Sequence, residues 1–186
     1  MGGDGILIKG MYRDIITGPT GALIFDSGWN SNTIVRNCRV LIAGFMKNDT
    51  PSGIQCLVVG QGKDEWDEKW NSSDPPGPAP QTTDHLEAPY DPPITLSRVA
   101  GQGFIEIDYL DELDKPVVSG VTSRLQLKAI LEPGYPAPVQ FNTYPLREFG
   151  LFGEFGGQKF MINCVRHPVI YKDSAATLVR EIKLYF

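Results

Sequence analysis

Histidine is scarce in this chain. His85 and His167 are the only two in 186 residues, and neither stands in an HxH or HExxH context. Cysteine is hardly more abundant. Cys38, Cys56 and Cys164 are odd in number, far apart and free of any CxxC pair. No zinc cage and no disulfide framework is implied, and the three thiols read as reduced, buried, small hydrophobes. No apolar run approaches the ~18 residues of a membrane-spanning helix. The opening Met1-Gly2-Gly3-Asp4-Gly5-Ile6 has no basic start and no long apolar stretch, so no secretory leader is expected, and position 6 lacks the hydroxyl that myristoylation wants. Positive charge is also short. Seventeen Lys and Arg stand against 22 Asp and Glu, a net charge of −5, which disfavours a generic nucleic-acid binder.

Signals of catalysis are equally thin. There is no GxSxG elbow and no P-loop, and Gly60-Gln61-Gly62 and Gly101-Gln102-Gly103 are bare GxG triplets. Asp108, Asp111, Glu112 and Asp114 form a small acid cluster that could offer oxygen ligands to Ca²⁺. The spacing and glycine of an EF loop are missing, so the cluster reads as a polar turn. Asn71-Ser72-Ser73 matches a glycosylation sequon by chance. His85 and His167 read as surface or turn residues. The expectation is a chain that is not an enzyme and that takes no cofactor and no metal.

What is present points to β structure. Hydrophobic residues make up 41% and charged residues 21%, the balance of a globular chain. The length suits one domain, with roughly 70% of the unfolded surface buried on folding. Gly and Pro number 20 and 15, so turns are many and an all-helical fold is disfavoured. A hairpin is predicted at the start. Ile6, Leu7, Ile8, Met11, Tyr12 and Ile15 run into the turn Thr17–Gly21, and Ala22–Phe25 returns. One amphipathic helix is predicted over residues 31–47. Ile34, Val35, Cys38, Leu41, Ile42 and Phe45 share one arc at 100° per residue, with Asn30, Ser31 or Asn32 as the N-cap and Pro51 beyond its end. Ile54–Val59 reads as a buried central strand. Period-2 patterns then follow at 105–109, 121–131, 160–165 and 178–186. The fold expected is mainly β, with β-sandwich-like antiparallel sheets and one packed helix, in a single domain over residues 1–186.

One stretch departs from this pattern. Residues 63–93 hold eight acids and two bases, a net charge of −6, so the remainder of the chain sums to +1. Seven of the 15 prolines lie there too. This reads as an acidic, Pro-rich loop excursion with one helical turn around Trp66 and Trp70, and with no regular structure over 71–80. Loops of this length in a compact domain are usually functional or disordered. Trp66, Trp70 and Tyr90, with Asp64, Glu65, Asp67 and Glu68, are the candidate partner-contacting residues. Aromatics among carboxylates can anchor a loop on a neighbouring subunit, stack on a sugar, or pack on their own domain.

The order of features resembles a family of small structural proteins of tailed bacteriophages and related contractile injection systems. The resemblance rests on Phe25-Asp26-Ser27-Gly28-Trp29-Asn30-Ser31-Asn32-Thr33-Ile34, then Leu57-Val58-Val59-Gly60-Gln61-Gly62, then Thr83-Asp84-His85-Leu86-Glu87. It continues through Leu146-Arg147-Glu148-Phe149-Gly150-Leu151-Phe152-Gly153 to the terminal run Thr177–Phe186. Gln61 stands where the family usually has threonine. The resemblance implies no catalytic residues. It implies a subunit of the tail, collar or baseplate region, in a virion or phage-tail-like particle assembled in the bacterial host cytoplasm. Its partners would be copies of itself in a symmetric ring and neighbouring particle proteins, with no direct nucleic acid and no membrane span. The rival reading is a carbohydrate-binding module using the Trp/Tyr/acid-rich loop.

Overall fold

The computed structural model describes residues 8–186; Ile6 and Leu7 of the predicted first strand lie outside them. The chain order is β1 (Lys9–Thr17), β2 (Leu23–Asp26), β3 (Asn30–Ile34), α1 (Cys38–Met46), β4 (Ser52–Gly60), α2 (Glu65–Trp70), β5 (Ile94–Thr95), β6 (Gly103–Tyr109), β7 (Arg124–Leu131), β8 (Thr143–Phe155), β9 (Gln158–Asp173) and β10 (Thr177–Tyr185).

The fold is mainly β, as the alternating patterns require, but it is barrel-like rather than a sandwich. The strands form one antiparallel sheet in the order β5-β4-β8-β9-β3-β1-β10-β7-β6, with β2 on β1. A sandwich needs two separate sheets facing each other. Here β3 joins what would be the two halves: Gly10 pairs with Asn32 on one side, and Thr33 with Cys164 on the other. The two ends of the path, β5 and β6, then approach each other, so the sheet nearly closes on itself.

That junction also corrects the helix. The residues Asn30–Ile34, placed on the predicted helix or its cap, are strand β3, and the helix proper is only Cys38–Met46. Asn and Ser are poor helix formers, and Thr33 and Ile34 are β-branched, so the local cost of extension is small. The free edges of β1 and β9 then decide the conformation. The cap residue is Asn37, and its side chain makes no capping hydrogen bond. The buried arc survives in shortened form as Cys38 and Leu41. Leu41 reaches the β8–β9 hairpin because Gly153 has no side chain; a Cβ there would lie 2.6 Å from Leu41 Cδ1.

Other elements match more closely. The first hairpin closes through Gly18–Gly21. β4 carries buried Cys56, Leu57 and Val59, but it lies next to the end of the strand path, bordered there only by the two-residue β5, rather than at the centre. β10 pairs with β1 along its whole length and with β7, and the Phe186 N–H donates to the Ser123 carbonyl, tying the C-terminal residue to the sheet. β7 begins at Arg124 rather than Val121, which lies exposed in the preceding loop. The main core fills the barrel with Leu127, Leu131, Phe149, Leu151, Leu178 and Ile182 among others. A second, smaller core lies between β8–β9 and the excursion, built from Val35, Ala79, Leu86, Met161 and Cys164. All three cysteines are free and buried.

Candidate functional site

The acidic excursion leaves β4 at Gly62 and returns at β5. It is not a free arm, because β8 holds it. Leu146, Phe149 and Leu151 of β8 face the main core, which leaves two residues, Arg147 and Glu148, between the first two. The β8–β9 register slips between Leu146 and Glu148. A bulge of this kind re-aims side chains, and it directs both charged residues onto the excursion.

Arg147 is almost fully buried. Its Nε and Nη2 donate to Asp67 Oδ1 and Oδ2, each at 2.7 Å, and its Nη1 donates to the Gln61 carbonyl at 2.9 Å. Asp64 Oδ1 lies 3.0 Å from Nη1. The bidentate fork is the strong form of an Arg–carboxylate contact. Glu148 is equally buried, and its carboxylate accepts from the backbone N–H groups of Ala88 at 2.8 Å and Glu87 at 3.1 Å. One residue therefore grips the outgoing limb and the next grips the returning limb. Gly62 sits between them with φ +60°, and a Cβ there would lie 2.5 Å from the Trp66 ring. Only glycine accepts both that conformation and that contact.

The predicted contact residues divide accordingly. Trp66 is only 5% exposed, and the Arg166 guanidinium lies 4.9 Å from its ring centroid. Its indole is packed on its own domain rather than open to a sugar or a neighbour. Asp67 belongs to the clamp, while Asp64 joins it with most of its carboxylate still in water. Glu65 and Glu68 stand exposed on α2. Trp70 is half-buried, and its Nε1–H has no partner among the described residues. Tyr90 lies at the far end of the excursion, away from α2 in the chain. Its hydroxyl accepts from the Ala137 N–H, and its ring meets Tyr135 and Tyr144 edge-on. The structure thus gathers residues 64–70 on one short helix and gives Tyr90 a separate anchoring role.

His85 is exposed beside Asp84, whose carboxylate raises the imidazole pKa. His167 contradicts its expected surface position. It is buried in β9, and its pKa is pushed down to about 4, first by burial and then by Arg180. Its Nδ1–H donates to the Pro168 carbonyl, which leaves Nε2 to accept from Arg180 Nη2 at 3.1 Å. The neutral tautomer is thereby fixed. Arg180 in turn forks onto Asp14 at 2.6 and 2.9 Å and stacks over Phe149 at 3.8 Å. This triad was not among the predicted residues, yet a signal for it exists. Asp14 interrupts the buried face Tyr12–Ile16, Arg180 interrupts Leu178–Ile182, and the two charges are opposite in sign. The register sets them directly opposite each other.

The acid cluster is a turn, as expected. The Asp111 carboxylate accepts from the N–H groups of Leu113 and Lys115, and Asp114 pairs with Arg124 and Lys183. Among the described residues no three His, Cys, Asp or Glu side chains are placed to hold a metal ion, and no helix is long and apolar enough to cross a membrane. No protein family, no curated protein and no solved structure matches this chain.

Proposed function

We propose that this chain is a non-enzymatic structural subunit of a tailed-phage virion or phage-tail-like particle, placed in its tail, collar or baseplate region. The observation that carries the reading is the apolar surface at one end of the barrel. There Phe45 of α1, Tyr109 at the end of β6 and Phe186 after β10 border one groove, while Met46 next to Phe45 and Leu113, Val118 and Val121 in the loop between β6 and β7 are also exposed. Met46 is 83% exposed and Val118 is fully so. An open groove of about 420 Å³, lined by Leu41, Ile42, Phe45, Leu125, Leu184 and Phe186 among others, runs between α1 and the strands. Apolar surface gathered in one place on a soluble chain marks an interaction site. Repeated around a symmetry axis, such a patch builds a ring. Glu65 and Glu68, exposed on the clamped excursion beyond the other end of β4, would offer a separate acidic contact for a basic neighbour. The ordered resemblance to phage structural proteins supplies the biological setting.

Sedimentation of the native chain from its source lysate, followed by mass spectrometry, tests this reading. Migration with a megadalton particle supports it. Migration as a free 20.5 kDa species overturns it.

A further inference from the structure

The barrel wall has a gap. β3 is five residues long and reaches β9 only at Cys164 and Asn163. Beyond Arg166, β9 bulges at His167–Val169, rejoins β8 at Ile170–Asp173, and has no described strand on its other side. Across the gap stands β2, which pairs with β1 and has no second neighbour. Between these two edges lies a cavity of about 360 Å³, bounded by Tyr12, Asp14, Phe25, His167, Val169 and Ile170 with their neighbours. An unpaired strand edge is a row of amide donors and carbonyl acceptors with no chain to bond. Here two such edges face each other; on the β9 side Pro168 has no N–H and its carbonyl already accepts from His167 Nδ1, so the residues flanking it supply the free groups.

We propose that this slot accepts a single extended peptide segment of a partner protein, which pairs with β2 and β9 at once and closes the wall. The two facing edges define the guest. A strand already held in a sheet has at most one free edge, so β2 of a second copy cannot bridge the slot. The chain's own irregular stretch over 71–81 holds Pro75, Pro76, Pro78 and Pro80, which have no N–H to donate. Neither of these described segments supplies the guest, which is a linear segment from another protein, bonded on both sides through its backbone. Its inward side chains are apolar and uncharged. The carboxylates at the slot are already neutralised, Asp14 by Arg180 and Asp26 by Arg13, and the walls offer Tyr12, Phe25, Val169 and Ile170. The mouth is apolar too, with Leu23, Ile24 and Tyr171 exposed beside it. This inference does not rest on the particle reading, since a free monomer would carry the same slot.

The test uses the full chain with backbone amides assigned by NMR. The probe is a nine-residue synthetic peptide of alternating Val and Thr flanked by Lys. Its control carries Pro at alternate positions and so lacks the donors. In the free chain, amides of β2 and of β9 beyond Arg166 that point into the slot exchange rapidly. With millimolar probe they slow by about tenfold or more, and the control has no effect. Val169→Trp, which fills the slot, abolishes the protection while thermal unfolding stays within a few degrees of the native chain. Four results overturn the proposal. The slot amides are already protected in the free chain; the probe gives no protection at millimolar concentration; the Pro control protects equally; or protection grows with chain concentration alone, which assigns the edge to a second copy.

Discussion

Asp14 and Arg180 face each other across the β1–β10 ladder with no solvent around either side chain. Removing one partner strands the other charge. Asp14→Leu or Arg180→Met is therefore expected to lower unfolding free energy by about 3–5 kcal/mol. The double variant Asp14→Leu/Arg180→Met should recover most of that loss, and a double-mutant cycle in urea reads the difference. His167 sets a pH dependence in the same network. Its folded pKa, near 4, lies below the 6.5 of an exposed imidazole. Below pH 6.5 the unfolded chain takes a proton that the folded chain refuses, so stability falls as pH drops and levels out only near 4. The loss from this group is of order 3 kcal/mol in all. His167→Leu should flatten the stability profile between pH 6.5 and 4.5, a window above most carboxylate titrations. An unchanged slope would place the proton elsewhere.

At the scale of elements, the excursion is a strap over the outer faces of β8 and β9. Its hold combines the Arg147 and Glu148 clamps, buried Trp66 and the second core, all separate from the main core, so it is expected to open as a unit while the barrel stays folded. Asp67→Ala leaves the Arg147 guanidinium buried without its fork. Hydrogen exchange over residues 63–90 should then accelerate by tenfold or more, with β7 and β10 unchanged. Equal acceleration in both regions would show the clamp to be part of the global fold. Within the strap, removal of residues 72–77 shortens an exposed loop and should change stability by less than about 1 kcal/mol. A longer cut through residue 80 also removes buried Ala79 from the second core and should cost more; denaturant melts of the two deletions separate the cases.

For the whole molecule, the apolar end around α1 separates folding from assembly. Met46→Glu combined with Val121→Glu changes only exposed positions, so stability should stay within about 0.5 kcal/mol per site. Incorporation into the particle, scored by co-sedimentation of the variant from a complemented lysate, should fall sharply. Normal incorporation would exclude this face as the subunit contact.

Some of this was legible from one-dimensional pattern. Alternation along β6, β7 and β10 set the β class, the turn residues at Thr17–Gly21 set the first hairpin, and the acids and prolines over 63–93 set the excursion with its helical turn at Trp66. These are local properties, carried by the period of burial and by backbone chemistry. β8 was hidden because Leu146–Leu151 is buried without interruption. The barrel covers one of its faces and the excursion the other, so no alternation remains to be read. The first four residues of the predicted helix, which became part of β3, fit a helical arc just as well in isolation; the open edges of β1 and β9 outweighed it. Opposite charges on two apolar faces were visible as Asp14 and Arg180, but their meeting required a ladder joining positions 166 residues apart. Local chemistry follows from the sequence, whereas which edges pair, and so which charges meet and which aromatic is buried, depends on long-range burial that only the closed sheet decides.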